Sequence, residues 1–176
     1  MQHTLLWSPQ MNFKLKNRGR RLRRTESIRS LVRENQVSLD DLIYPIFVEE
    51  GIDANMPIKK MPGISRISEN NLGSEVKKAW DLGIKAIILF GISHKKDAVG
   101  TDSWQENGLV SRMVKAAKAA APEIYVITDN CFCQYTSHGH CGVLCDHDMV
   151  DNDPTLANLQ KQTVAAAKAG ADMVAP

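Results

Sequence analysis

The 176-residue sequence is poor in aromatic side chains, which make up 6% of it, and its net charge is only +2. It contains no run approaching the roughly 20 apolar residues that a membrane-spanning helix needs. Its opening, MQHTLLWSPQ, has no charged start, apolar core or small-residue cleavage site, so no secretory leader is read there. The expectation is a cytoplasmic chain with no membrane partner. The small net charge does not imply a polyanionic partner for the molecule as a whole. No G-x-G-x-x-G follows the first apolar run, which removes support for a nucleotide-binding doubly wound sheet. No C-x-x-C pair occurs either, so the paired knuckles of a closed structural zinc site are missing. The sequence is 43% hydrophobic, enough for one sizeable core.

Charge is unevenly placed, with nine lysines and arginines between Lys14 and Arg33. The run RGRRLRR could match phosphates, because clustered guanidiniums suit them. No aromatic residue is interleaved there to stack on bases, and no nucleic-acid motif follows. A solvated or subunit-binding arm over residues 1–38, with no nucleic-acid partner, is the preferred reading.

From Asp41 the hydrophobic pattern alternates between two periods. DLIYPIFVEE, residues 41–50, reads as a buried strand rich in β-formers. A Pro/Gly/Ser-rich loop is expected up to Ser68. Leu72, Val76, Ala79 and Trp80 then fall at helical spacing, ending at Gly83, which suits a left-handed cap. KAIILFGI, residues 85–92, is apolar on both faces, as in a parallel strand covered by helices. Leu109, Val110, Met113, Val114 and Ala117 mark a second helix stopping near Pro122, and EIYVITD, residues 123–129, a third strand. Asp153 and Pro154 read as the start of a helix carrying Leu156, Leu159 and Ala166 and closing at Gly170. ADMVAP, ending at Pro176, begins a fourth strand.

Four strands about forty residues apart, with helices between them, argue for right-handed βα units. The fold class is therefore α/β, with residues 39–176 expected to form the first half of a (β/α)8 TIM barrel. A closed barrel needs eight units in about 250 residues, so the chain is expected to be a fragment of a longer product, or a truncated gene product, rather than a self-sufficient barrel.

Chemistry concentrates in TDNCFCQYTSHGHCGVLCDHD, directly after the third strand. In a parallel α/β barrel this is the carboxyl-terminal face, where active sites lie. Four cysteines, Cys131, Cys133, Cys141 and Cys145, fall within fifteen positions. Two disulfides are one reading; without a secretory signal, a metal site or reactive thiols is preferred. If the strand runs on through position 133, Asp129, Cys131 and Cys133 share one face. Cys141 can fold back on the loop around Gly139 and Gly142. Three soft ligands without a fourth point to zinc with an open position, the mark of catalytic sites. His138, His140 and His147 remain alternative ligands, with His140 more simply a group beside the substrate. Cys145, among apolar neighbours, reads as a small core residue. Asn130 and Gln134 are spacers for which no ligand role is needed. Lys95 and Lys96 read as solvated loop charges, not as activated amines.

TDNCFCQYTSHGHCGVLC, followed by VDNDPTLANL and AGADMVAP, resembles the zinc-type porphobilinogen synthases (5-aminolevulinate dehydratases). The likeness runs from RRLRR through DLIYPIFV, MPGISRIS, DLGIKAIILFGI and KKDAVG to the last residue, although DHDMVDND is bulkier and more acidic than the glycine-containing turn expected there. The resemblance implies a homo-octamer whose amino-terminal arm embraces a neighbour. It implies condensation of two 5-aminolevulinate molecules to porphobilinogen with loss of two waters, for heme and other tetrapyrroles. Zn2+ would be held by Cys131, Cys133 and Cys141, Asp129 would be an active-site carboxylate, and Mg2+ is a second candidate ion. The family's two Schiff-base lysines belong to later strands, beyond Pro176, so the chain alone is expected to be inactive. A non-catalytic zinc-binding or redox module is the alternative.

Overall fold

A computed structural model describes residues 19–176, in two compact units divided between Val37 and Ser38. Residues 1–18, half of the expected arm, lie outside the described residues. In the first unit, a 3-10 turn at Arg21–Arg23 precedes a short helix, α1, at Glu26–Leu31. Thr25 caps α1, its hydroxyl accepting from the Ile28 N–H at 3.2 Å, which satisfies one of the orphan donors of the first turn. Neither element buries a residue.

The second unit holds one mixed sheet and three helices. In chain order these are β1 (Ile43–Glu49), β2 (Met56–Pro57), β3 (Ser65–Ser68), α2 (Glu69–Asp81), β4 (Ala86–Ile92), α3 (Leu109–Ala120), β5 (Tyr125–Asp129), α4 (Asn152–Ala169) and β6 (Met173–Ala175). The strand order is β2-β3-β1-β4-β5-β6. β1, β4, β5 and β6 are consecutive parallel neighbours, in register at Ile46 with Leu89, Ile88 with Ile127 and Thr128 with Val174. Each of these three steps is bridged by a helix, α2, α3 and α4 in turn, as in βα units.

The four expected strands and three expected helices all form, with boundaries shifted by a few residues. Residues 51–68, expected to be loop, contain β2 and β3. These, of two and four residues, are too short for period-two alternation to register; β3 pairs parallel to β1 at Phe47 with Arg66, and β2 pairs antiparallel to β3. The last strand, expected over ADMVAP, is β6 alone, and Pro176 lies just outside it as an exposed residue. Proline has no N–H to give to a strand ladder. Gly83 and Gly170 close their helices with φ of 93° and 102°, values that side-chain-bearing residues adopt at a cost.

The core lies between the sheet and its helices. Ile46, Val48, Ile87, Leu89 and Val126 pack with Leu72, Val76, Val110, Met113, Val114 and Ala117, all buried. α4 departs from this scheme. It was expected to present Leu156, Leu159 and Ala166 inward, and it starts two residues before Pro154, with Asp151 as the flanking residue. Its buried residues are Asn158, Gln162 and Ala166, whereas Leu156 is 54% and Val164 51% exposed. The inward stripe thus mixes two amides with Ala166, which joins the core as expected, while Leu159 is half-buried; a surface helix more commonly turns a wholly apolar stripe inward.

Gly91 in β4 lets the loop after β5 approach the sheet. A Cβ there would collide with the Tyr135 hydroxyl oxygen and lie 2.8 Å from the Met113 Cε, and Tyr135 is itself buried. Overpacking of this kind typically costs about 1–3 kcal/mol. Gly91→Ala is expected to lower stability by that amount in thermal or denaturant unfolding; an unchanged melting temperature would contradict the packing described.

Candidate metal centre

β5 ends at Asp129, and the chain does not continue as a strand through the cysteines. It turns at once, with the Tyr135 and Thr136 N–H groups donating to the Phe132 carbonyl at 2.8 and 2.9 Å. The shared face expected for Asp129, Cys131 and Cys133 therefore does not arise from strand alternation; the turn brings the two cysteines together. Cys131 Sγ lies 3.2 Å from Cys133 Sγ and 3.2 Å from Cys141 Sγ. All three sulfurs lie within 4.8 Å of one another. The thiols are free. Three sulfurs about 2.3 Å from one tetrahedral zinc would be about 3.8 Å apart, so the spacing suits a common soft cation.

Several contacts set this geometry. Asn130, read in the sequence as a spacer, is buried; its Oδ1 accepts from the Thr128 hydroxyl at 3.0 Å and its Nδ2 donates to Thr163 on α4 at 3.2 Å. Its backbone N–H donates to Ala175 on β6 at 2.9 Å. Beyond Cys141, the Val143 N–H donates to the Thr155 hydroxyl of α4 at 2.9 Å. A Cβ on Gly142 would meet that hydroxyl at 2.5 Å, so a glycine is needed for the close approach. On the other side stands the loop after β4. Asp97 Oδ1 accepts from the N–H groups of Val99, Gly100 and Thr101 at 2.9, 2.6 and 3.1 Å. The ordered Asp97 backbone then exchanges hydrogen bonds with Tyr135 and Ser137.

The histidines stay outside the cluster. The His138 Nδ1 accepts from the His140 N–H at 3.1 Å, which leaves Nε2 as the protonated nitrogen donating to the Ala98 carbonyl at 3.0 Å. Both ring nitrogens are engaged. His140 stacks on His138 with centroids 5.6 Å apart, and His147 is exposed and apart from the sulfurs. Cys145 is half-buried beside the Leu144–Val150 bridge, neither the core residue expected nor a member of the cluster.

Burial first, then the neighbouring Cys131 thiol, pushes the Cys133 thiol up to about 12. Cys141 is raised by its contact with Cys131 and then by burial. Thiolates this close repel one another, and a divalent cation removes that penalty. The half-buried Asp129 carboxyl is raised by burial.

At the carboxyl end of β1, a charged network lies outside the cluster. Glu50 bonds Lys95 Nζ at 2.7 Å and Arg112 Nη2 at 3.0 Å, and Arg112 Nε reaches Glu69 at 2.7 Å. Lys95 is thus an ion-paired amine whose pKa is raised by Glu50, the opposite of an activated nucleophile; Lys96 is exposed.

The sequence matches the delta-aminolevulinic acid dehydratase family over residues 16–176. The chain belongs to that family. It is 52% identical over 159 residues to the delta-aminolevulinic acid dehydratase of Escherichia coli strain K12, covering 90% of this chain and 49% of the relative. With that of Staphylococcus aureus it shares 46% over 161 residues, covering 91% and 50%. A crystal structure of delta-aminolevulinic acid dehydratase (porphobilinogen synthase) from Toxoplasma gondii ME49, in complex with the reaction product porphobilinogen, superposes with a TM-score of 0.83. Identity there is 38%, over 92% of this chain and 46% of that one. The chain spans about half the length of the dehydratases it matches, and its parallel units are the amino-terminal portion of their (β/α)8 barrel.

Burial alone would raise the Glu50 carboxyl, yet hydrogen bonds from Lys95, the His94 N–H and Arg112 hold it at about 2, below its ordinary 4.5. A folded-state value below the unfolded one stabilises the fold above the unfolded pKa, and this contribution is lost as pH falls from about 4.5 towards about 2. Glu50→Gln is expected to be less stable than the parent at neutral pH, with the gap closing on acidification. A pH-independent gap in denaturant titrations would contradict this.

Proposed function

We propose that this chain supplies the metal-binding part of a porphobilinogen synthase, an enzyme that condenses two molecules of 5-aminolevulinate to porphobilinogen with loss of two waters. The observation behind the reading is the convergence of three cysteine sulfurs beyond the carboxyl end of a parallel strand in a chain of this family. Cys131, Cys133 and Cys141 would hold Zn2+ as three soft, anionic ligands. Bound there, the ion would supply Lewis acidity towards a substrate ketone.

Asp129 is the catalytic carboxylate of the proposal. It ends β5, two residues before the first thiol, and its burial favours the protonated form relative to an exposed aspartate. A carboxyl so tuned can hold a proton, or accept one from a substrate ammonium, closer to neutral pH than a solvated one. Half-burial also limits water around the group and so strengthens its charge interactions. Asp97 and its loop keep the cysteine-bearing turn in place.

The finer parts of the reading follow the family resemblance. These are a homo-octamer, an arm over residues 1–38 serving subunit contact, a cytoplasmic location, Mg2+ as a second ion, and Schiff-base lysines on strands that follow Pro176. Among the described residues no helix is long and apolar enough to cross a membrane. By this reading the 176-residue chain alone gives no steady turnover.

The test is a chimaera joining this chain, at Pro176, to the second half of the Escherichia coli relative. Given Zn2+ and 5-aminolevulinate, it is expected to form porphobilinogen, and Cys131→Ala and Asp129→Asn are each expected to reduce the rate at least a hundredfold. A folded, zinc-loaded chimaera without turnover would contradict the proposal and favour a non-catalytic metal module.

A further inference from the structure

The polar side chains on the inward face of α4 add no apolar packing to the core, yet they coincide with the thiol cluster. Thr155 and Gln162 are seven residues apart, two helical turns, so they lie on one face. Thr155 holds the backbone beside Cys141. Gln162 reaches the backbone of Cys131, its Nε2 lying 3.5 Å from the Cys131 carbonyl oxygen. The adjacent Thr163 takes the Asn130 amide at 3.2 Å. A single helix thus grips both ends of the segment that carries the three sulfurs.

Gln162 is the member of this set that packing explains least. It is completely buried, at 0% exposure, and its Oε1 has no hydrogen-bond partner among the described residues. An apolar side chain of similar length would fill the same volume without an orphaned acceptor. What an apolar side chain lacks is an N–H to offer the Cys131 carbonyl. The amide orientation follows from that contact, because the reversed rotamer would set oxygen against oxygen. Cys131 is also the hub of the cluster, its sulfur being the one within 3.2 Å of both others.

We infer that Gln162 is a positioning residue for the metal centre, acting from α4 through the Cys131 carbonyl to hold the Cys131 sulfur where Cys133 and Cys141 meet it. This inference rests on the reading of the three thiols as metal ligands. Partners behind a ligand commonly alter metal affinity by about 10- to 100-fold, and a backbone carbonyl gripped next to a thiolate fixes that ligand's direction in the same way. Thr163 acts alongside it through Asn130.

The experiment uses the full 176-residue chain titrated with Co2+ as an optical probe, with Zn2+ affinity read by competition. Gln162→Leu and Gln162→Met are compared with the parent for metal affinity, the cobalt–thiolate absorption bands and melting temperature. Both variants are expected to bind about tenfold or more weakly with altered bands, while melting no lower than the metal-free parent, since each removes an orphaned acceptor. Thr163→Val is expected to weaken binding in the same direction. Parent-like affinity and bands in both Gln162 variants would overturn this inference alone. Loss of folding in both would also overturn it, marking Gln162 as a structural residue. Failure of the parent itself to bind Co2+ or Zn2+ would overturn the metal-centre reading and this inference with it.

Discussion

Bringing three sulfurs within 4.8 Å of one another imposes a demand that the rest of the site is arranged to meet. Thiols at 3.2 Å gain little from mutual contact, and burial first, then the neighbouring Cys131 thiol, disfavours the thiolate of Cys133. Their convergence has to be enforced by the surrounding backbone. That enforcement comes from two directions, the Asp97-ordered loop after β4 and the inward stripe of α4. The sheet sets the distance between those two supports. Where metal binds, its affinity is partly folding free energy, because the ligands are gathered only in the folded chain.

This division of labour explains an otherwise odd helix. Most surface helices gain stability by burying an apolar stripe, and α2 and α3 do so through Leu72, Val76 and Ala79 and through Val110, Met113 and Val114. α4 instead buries the amides Asn158 and Gln162 beside Ala166. Burying amides unless they find partners is unfavourable, so such a helix trades stability for control over the neighbouring loop. The same trade recurs at Gly91 and Gly142, where a side chain is given up to permit close approach by Tyr135 and Thr155.

Much of this was legible in the sequence. The parallel strands announced themselves because they are apolar on both faces, as KAIILFGI is, and Gly83 and Gly170 marked helix ends because their backbone angles suit little else. The clustering of Cys131, Cys133 and Cys141 after a strand was enough to nominate them. The short strands β2 and β3 were hidden, since two to four residues carry no usable period. The route by which the thiols meet was also hidden: alternation along a strand suggested convergence, but a turn produces it. Asn130 and Gln162 could not be found from sequence, because their importance lies in contacts 33 and 31 residues away. The one available signal was the polar interruption of α4's apolar spacing, which looked like ordinary surface. Cys145 looked like core because its neighbours are apolar, yet the bridge at Leu144 holds it half-exposed.

The centre is most directly examined by X-ray absorption spectroscopy on the zinc-loaded chain. Three sulfurs at about 2.3 Å and one lighter oxygen or nitrogen ligand are expected, in a spectrum left unchanged by Cys145→Ala. Four sulfurs, or a shell of nitrogen and oxygen with fewer than three, would contradict the open three-thiolate centre from which the functional account is built.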